Sequence, residues 1–318
     1  MKIQTKPLRL AASAVLAASC LPAMAAPLVD AEWLDRHRGD GQVVVIDIRK
    51  EEDYAQGHIP GAIRATYGEF GWRETVDDVI GMLPPLETIN AKIGSLGIDP
   101  SKHVVVVPYG ANSTDVGAAA RVYWTFKVLG HDKVSLLDGG INAWTSQDEY
   151  VLQTRAVEPA AAAPYPGRVD EQLVIDTAEL VAKVESGEVQ PVDARTDEQW
   201  NGEKKHPKAL SFGAIATAQR LPQADLVDPD TGRFVATDEV LKLARAHGWQ
   251  ADGSRPLVSY CNTGHWAATA WFALSEVAGI EDVVLYDGSM VAWTRDEANP
   301  LINEPSRAEQ LLNKVVGE

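Results

Sequence analysis

Cysteine is almost absent from this chain: 318 residues contain two, Cys20 and Cys261. Two thiols make no disulfide framework, and no second cysteine stands near Cys261 to form the paired site of a thioredoxin-type oxidoreductase. No His/Asn constellation surrounds it either, which argues against a cysteine protease. Runs of positive charge are missing as well. Lys and Arg number 29 against 45 Asp and Glu, for a net charge of −16, so nucleic acid and anionic membrane are excluded as partners. Long apolar runs are also lacking, since the stretch 10–21 is too short to span a bilayer comfortably.

That short run has another reading. Lys2, Lys6 and Arg9 precede it and "AMA" at 23–25 follows it, the pattern of a secretory signal peptide. Residues 1–25 are therefore expected to be removed and the mature chain to reside in the periplasm. Three basic residues and no acidic one leave with the leader, taking the charge from −16 to −19. Cys20 leaves too. Its lipidation is the lesser alternative, because Ala17 stands where a lipobox has Leu. One thiol remains. In an oxidising compartment a lone thiol is either a small buried hydrophobe or a reactive group in use.

What is present decides between these. With 45% apolar residues the chain can bury a substantial core in two domains. Cys261 follows "PLVSY", a short apolar run that reads as a strand ending at Tyr260, and precedes "AATAWFALSEVAG", a helical pattern stopped by Gly279. The residues "CNTGHW" form the crossing. Successive N–H groups and the positive end of a helix dipole converge there, an arrangement that favours a thiolate and any anion bound to it.

The chain also repeats itself. "VVVIDIRKEEDYAQGHIPGAI" (43–63) is echoed by "VQPVDARTDEQWNGEKKHPKALSFGAI" (189–215), which pairs Asp47 with Asp193 and Arg49 with Arg195. "DGGINAW" ending at Trp144 is echoed 149 residues later by "DGSMVAW" ending at Trp293. Strand-like runs alternate with helical patterns in both halves, which predicts α/β units, each a mostly parallel sheet flanked by helices. Residues 26–156 and 168–318 are the expected domains, with the Ala/Pro-rich 157–167 as linker. At the place of Cys261 the first half has Gly110.

These residues resemble the tandem-domain rhodaneses, or sulfurtransferases. "DIR" and "DAR", "GHIPGA" at 57–62, the "CNTGHW" loop and the two "DG…AW" endings carry the resemblance over nearly the whole mature chain. It implies two tandem rhodanese-like domains, the first catalytically silent and the second carrying the nucleophile Cys261. The implied chemistry passes a sulfur from an anionic donor through a Cys261 persulfide to a thiophilic acceptor such as cyanide, a thiol or an acceptor protein, with no metal or organic cofactor. The loop residues Asn262, Thr263, Gly264, His265 and Trp266 would line the site and offer amide donors to both anionic stages.

Side chains have two readings each. Arg195 matches a family position associated with substrate anions, yet its counterpart Arg49 lies in the silent half. Asp193 reads as a brace. His265 orients the donor or is a plain loop residue, and Trp266 shapes a wall or packs. Lys204, Lys205 and His206, in an insertion, gather anions or are solvated. Trp72 and Arg73 are candidate wall residues from the first half. A cysteine phosphatase would need an Arg where Ala267 stands. The loop carries no Lys or Arg of its own, unlike thiosulfate-type loops, and it lacks the "CGSG" opening of mercaptopyruvate enzymes. Thiosulfate is the expected donor, because Asn262 and Trp266 narrow the loop. The alternatives are 3-mercaptopyruvate and a non-enzymatic rhodanese module that relays sulfur or binds a partner.

Overall fold

A computed structural model of the protein describes residues 25–249 and 253–306. The leader through residue 24, Cys20 included, and the chain end after 306 lie outside the described residues. The first half supplies strands β1 (Leu28–Val29), β2 (Val43–Asp47), β3 (Ile63–Arg64), β4 (Glu74–Val76), β5 (Val79–Met82), β6 (His103–Val107) and β7 (Val134–Leu137). The second supplies β8 (Gln190–Asp193), β9 (Ala214–Ile215), β10 (Gln219–Arg220), β11 (Leu257–Tyr260), β12 (Val283–Leu285) and β13 (Leu301–Ile302). Five strands form a parallel sheet in the order β1-β7-β6-β2-β3, and four form a second in the order β10-β8-β11-β12. Strands such as "VVVID" and "HVVVV" carry four apolar residues in a row because parallel sheets are covered on both faces.

The aspartate that ends the first central strand of each half is locked by the arginine two residues on. Arg49 Nε and Nη2 donate to Asp47 Oδ1 and Oδ2 at 3.0 and 2.7 Å, and Arg195 repeats the fork on Asp193 at 2.9 and 2.6 Å. The same Nη2 atoms also donate to Gly57 O and Gly213 O. Gly57 therefore corresponds to Gly213, and Ile63 to Gln219, since Asp47 pairs with Arg64 and Asp193 with Arg220. The echo that ends both segments at "GAI" is out of register: the "GAI" at 213–215 lies where the first half has Gly57, His58 and Ile59.

The two halves share one core. The helix Ser113–Val128, buried on nearly every side, packs against the helix His265–Phe272, and a helix apolar all round needs burial all round. Gly117 allows the close approach: a Cβ there would meet Thr269 Oγ1 at 2.8 Å and the His265 ring at 3.2 Å. Below this contact Trp72, Val122 and Phe126 pack in one cluster with Trp271, Phe272 and Leu226. The 157–167 stretch, expected as a linker, is extended and docked: Ala163 N–H donates to Gly94 O, and Tyr165 is buried against Phe126 and His131.

Each half also clasps the other with an equivalent segment. After the β4–β5 hairpin, Leu83 N–H donates to Asp287 Oδ2 at 2.5 Å. From the second half, Phe234 N–H donates to Asp138 Oδ1 at 3.2 Å. Asp138 and Asp287 open the two "DG…AW" endings. Asp287 also faces the fully buried Arg121 at 2.5 Å, a charge pair across the domain boundary.

Candidate active site

Cys261 directly follows β11 and precedes the helix His265–Phe272, as the sequence predicts. It is a free thiol, 2% exposed, on the wall of a pocket of about 230 Å³. Ser289 holds the loop. Its Oγ accepts from Cys261 N–H at 3.0 Å and Gly264 N–H at 3.1 Å and donates to Tyr286 O at 3.0 Å. One hydroxyl has one donor and two acceptor sites, so all three are used. Met290 and Val291 N–H close the carbonyls of Cys261 and Asn262.

Four loop N–H groups, those of Asn262, Thr263, His265 and Trp266, have no protein acceptor among the described residues. They are four of the loop amides named from the sequence as candidate anion donors. Gly264 is the exception: its N–H belongs to Ser289, and its O accepts from Arg121 Nη1. Its role is steric, because φ is +72° and a Cβ would meet Arg121 Nη1 at 2.5 Å and Asp287 Oδ1 at 2.7 Å. Asn262 Nδ2 donates to Gln199 Oε1 at 3.1 Å, which fixes its side chain at the pocket rim.

The first half contributes Arg73 and Thr114 to the wall. His265 Nε2 lies 2.8 Å from Thr114 O and Nδ1 lies 3.0 Å from Tyr67 Oη. A carbonyl only accepts, so Nε2 carries the proton and Nδ1 accepts from Tyr67. Burial pushes the ring down to about 4, so it is neutral at physiological pH. Burial also raises Tyr67, which keeps its proton. Trp266 Nε1–H donates to Thr114 Oγ1 at 3.2 Å. His265 and Trp266 thus dock the domains as well as line the pocket. Of the two candidate wall residues Arg73 lines the pocket, whereas Trp72 is fully buried, with its indole N–H on Ala65 O.

Arg195 corrects the sequence reading. It is 3% exposed, doubly bonded to Asp193 and absent from the pocket wall. Burial opposes its charge, and the Asp193 carboxylate more than restores it. A guanidinium so engaged, identical in geometry to Arg49 in the other half, is a brace for the strand end and not a ligand for substrate. Of the insertion, His206 reaches the pocket, while Lys204 pairs with Glu198 on the surface.

The first-half loop shows why no thiol stands there. Gly110 has φ +74° and a Cβ on it would collide with Gly139 O. The amides of Tyr109, Gly110 and Ala111 all donate to the Asp115 carboxylate, at 3.1, 2.7 and 3.1 Å. A built-in anion fills the cradle that the second half leaves open. Sequence reasoning missed Asp115 and Ser289. Ser289 had one visible signal, the replacement of the last glycine of "DGG" by serine in "DGS", with φ +59° at Gly140 and +47° at Ser289.

Comparison with known proteins gives related results. The rhodanese-like domain matches twice, over residues 30–147 and 176–296. A thiosulfate sulfurtransferase of Corynebacterium glutamicum is 31% identical over 274 residues, 84% of this chain and 87% of its own length. The sulfur carrier protein TtuD of Thermus thermophilus is 31% identical over 278 residues, 84% of this chain and 93% of its own. The crystal structure of SseA from Escherichia coli, described as a 3-mercaptopyruvate sulfotransferase with the rhodanese fold, matches with a TM-score of 0.71 at 28% identity. It covers 83% of this chain and 98% of that one.

Proposed function

This chain belongs to the rhodanese-like family and is a sulfurtransferase, and from that premise we propose that Cys261 carries the sulfur and that thiosulfate is its preferred donor. The single observation that carries the reading is the free thiol of Cys261 set beside four loop amides that have no protein acceptor among the described residues. The Cys261 thiolate attacks the outer sulfur of thiosulfate. A new S–S bond forms, the old one breaks, and sulfite leaves with the electron pair. The Cys261 persulfide, itself an anion, is stabilised by the same amides. Cyanide or a thiolate then attacks the outer sulfur and the Cys261 thiolate is released. The first half is silent in this scheme, since Gly110 excludes a side chain and Asp115 occupies its loop.

Donor choice rests on the bulk of Asn262 and Trp266, which line the pocket beside Cys261 and leave less room for the longer keto acid than for compact thiosulfate. Export belongs to the same proposal: Lys2, Lys6, Arg9, the apolar run and "AMA" support loss of residues 1–25 and action in the periplasm. N-terminal sequencing of the exported protein should begin at Ala26. Thiocyanate formation from each donor, compared as kcat/KM, tests the donor. A lead for 3-mercaptopyruvate would overturn that assignment alone. No turnover with either small molecule would favour a sulfur relay to an acceptor protein; the Thermus relative is named a sulfur carrier protein.

A further inference from the structure

The cysteine loop has no Lys or Arg, and Arg195 is engaged by Asp193. The pocket nevertheless contains a cation, and it comes from the other half. Arg73, just before β4, lines the pocket together with Cys261. Its Nε donates to Gly81 O at 3.0 Å, Nη1 to Tyr67 Oη at 3.2 Å and Nη2 to Thr263 O at 2.6 Å. All three acceptors are neutral, and Arg73 forms no ion pair with a carboxylate among the described residues. A guanidinium has five N–H groups and keeps its charge at every working pH. Three of them are fixed here, which leaves one on each terminal nitrogen.

We propose that Arg73 is the receptor for the anionic end of the sulfur donor, so that the first half, silent in chemistry, supplies the cation that the cysteine loop lacks. This rests on the sulfurtransferase reading of the same pocket. The fork is held from three sides and cannot swing away, and its charge is not already matched, so an incoming oxyanion gains a charge-assisted pair without displacing another. The surroundings agree. His206, its ring pushed down chiefly by burial, lines the same pocket and adds no carboxylate to it. A net charge of −16 makes Arg73 a local exception to a repulsive surface. The ligand class is a small oxyanion, and the carboxylate of a keto acid or the sulfonate-like end of thiosulfate would be met by the same fork.

Alkylation of Cys261 in the mature full-length protein, by anionic iodoacetate and by neutral iodoacetamide, reads the receptor without any sulfur chemistry. The wild type should prefer iodoacetate relative to a free thiol. Arg73→Gln should reduce that preference about tenfold, the equivalent of about 1.4 kcal/mol, and leave the iodoacetamide rate nearly unchanged. Arg73→Lys should retain part of the preference while raising KM for thiosulfate with little change in kcat. Should Arg73→Gln fail to fold, the Lys variant decides by that KM. An unaltered preference, an equal fall in both alkylation rates, or an unchanged KM in Arg73→Lys would overturn the proposal. An Arg73-dependent preference in a protein that transfers no sulfur would sink the sulfurtransferase reading and leave the anion receptor standing.

Discussion

Ser289 does for the reactive loop what Asp115 does for the silent one: it satisfies amides that would otherwise be unpaired. Its backbone sits at φ +47°, a region that glycine takes readily and serine does not. Ser289→Gly, which restores the "DGG" of the first half, should therefore ease the backbone and still lower stability, by about 1–3 kcal/mol for the freed buried N–H groups. Sulfur transfer should fall with it. Thermal melts beside turnover check this, and a Gly variant as active as wild type would contradict it. His265 gives a pH signature. Its folded value of about 4 lies below the ordinary histidine value, so its contribution is present above about pH 6.5 and is lost as pH falls through its folded value. Acidification across that window should lower the melting temperature of the wild type more than that of His265→Gln. Cys261 was legible in the sequence because scarcity and strand-tip position point to it. Ser289 and Asp115 were not, because each acts on backbone groups, and Arg73 was legible only as a candidate wall residue, because its tie to Thr263 is made by the fold.

At the level of elements, two-residue strands such as Ile63–Arg64 and Gln219–Arg220 carry no apolar run, but the longer strands followed directly from theirs, and so did the tip position of the cysteine loop. The exchange of hairpin contacts did not. Leu83 and Phe234 reach aspartates of the opposite half through backbone N–H groups, which carry no mark in the sequence. The "GAI" echo misled for a related reason: three matching letters outweighed a register that is fixed by hydrogen bonds from Arg49 and Arg195. The helix pair Ser113–Val128 and His265–Phe272 is the contact on which the pocket depends. Gly117→Leu should force it apart, with the overpacking cost of about 1–3 kcal/mol. Because Thr114 and His265 move with those helices, KM for the donor should rise as well. A loss of stability with unchanged KM would mean the pocket tolerates the shift.

The whole molecule is two copies of one fold in which chemistry and anion capture have been divided. The second half holds Cys261 and its amides, and the first half holds Arg73, Tyr67 and Thr114. Composition announced the acidic surface and the duplication announced the two domains, but the sharing of one pocket depends on how they dock. The charge of −16 also predicts a salt effect. Added salt screens exposed charges beyond about 8 Å at physiological ionic strength, so the repulsion felt by a dianionic donor should weaken and KM for thiosulfate should fall modestly between low and physiological salt. A rise would show that attraction by Arg73 dominates even at long range. The most direct measurement of the central claim is the intact mass of the mature protein after thiosulfate and removal of excess donor, wild type beside Cys261→Ser. The account predicts a gain of one sulfur atom on the wild type, its loss as thiocyanate on adding cyanide, and no gain on the variant. A wild type that gains nothing, or a Cys261→Ser variant that gains the same sulfur, would contradict it.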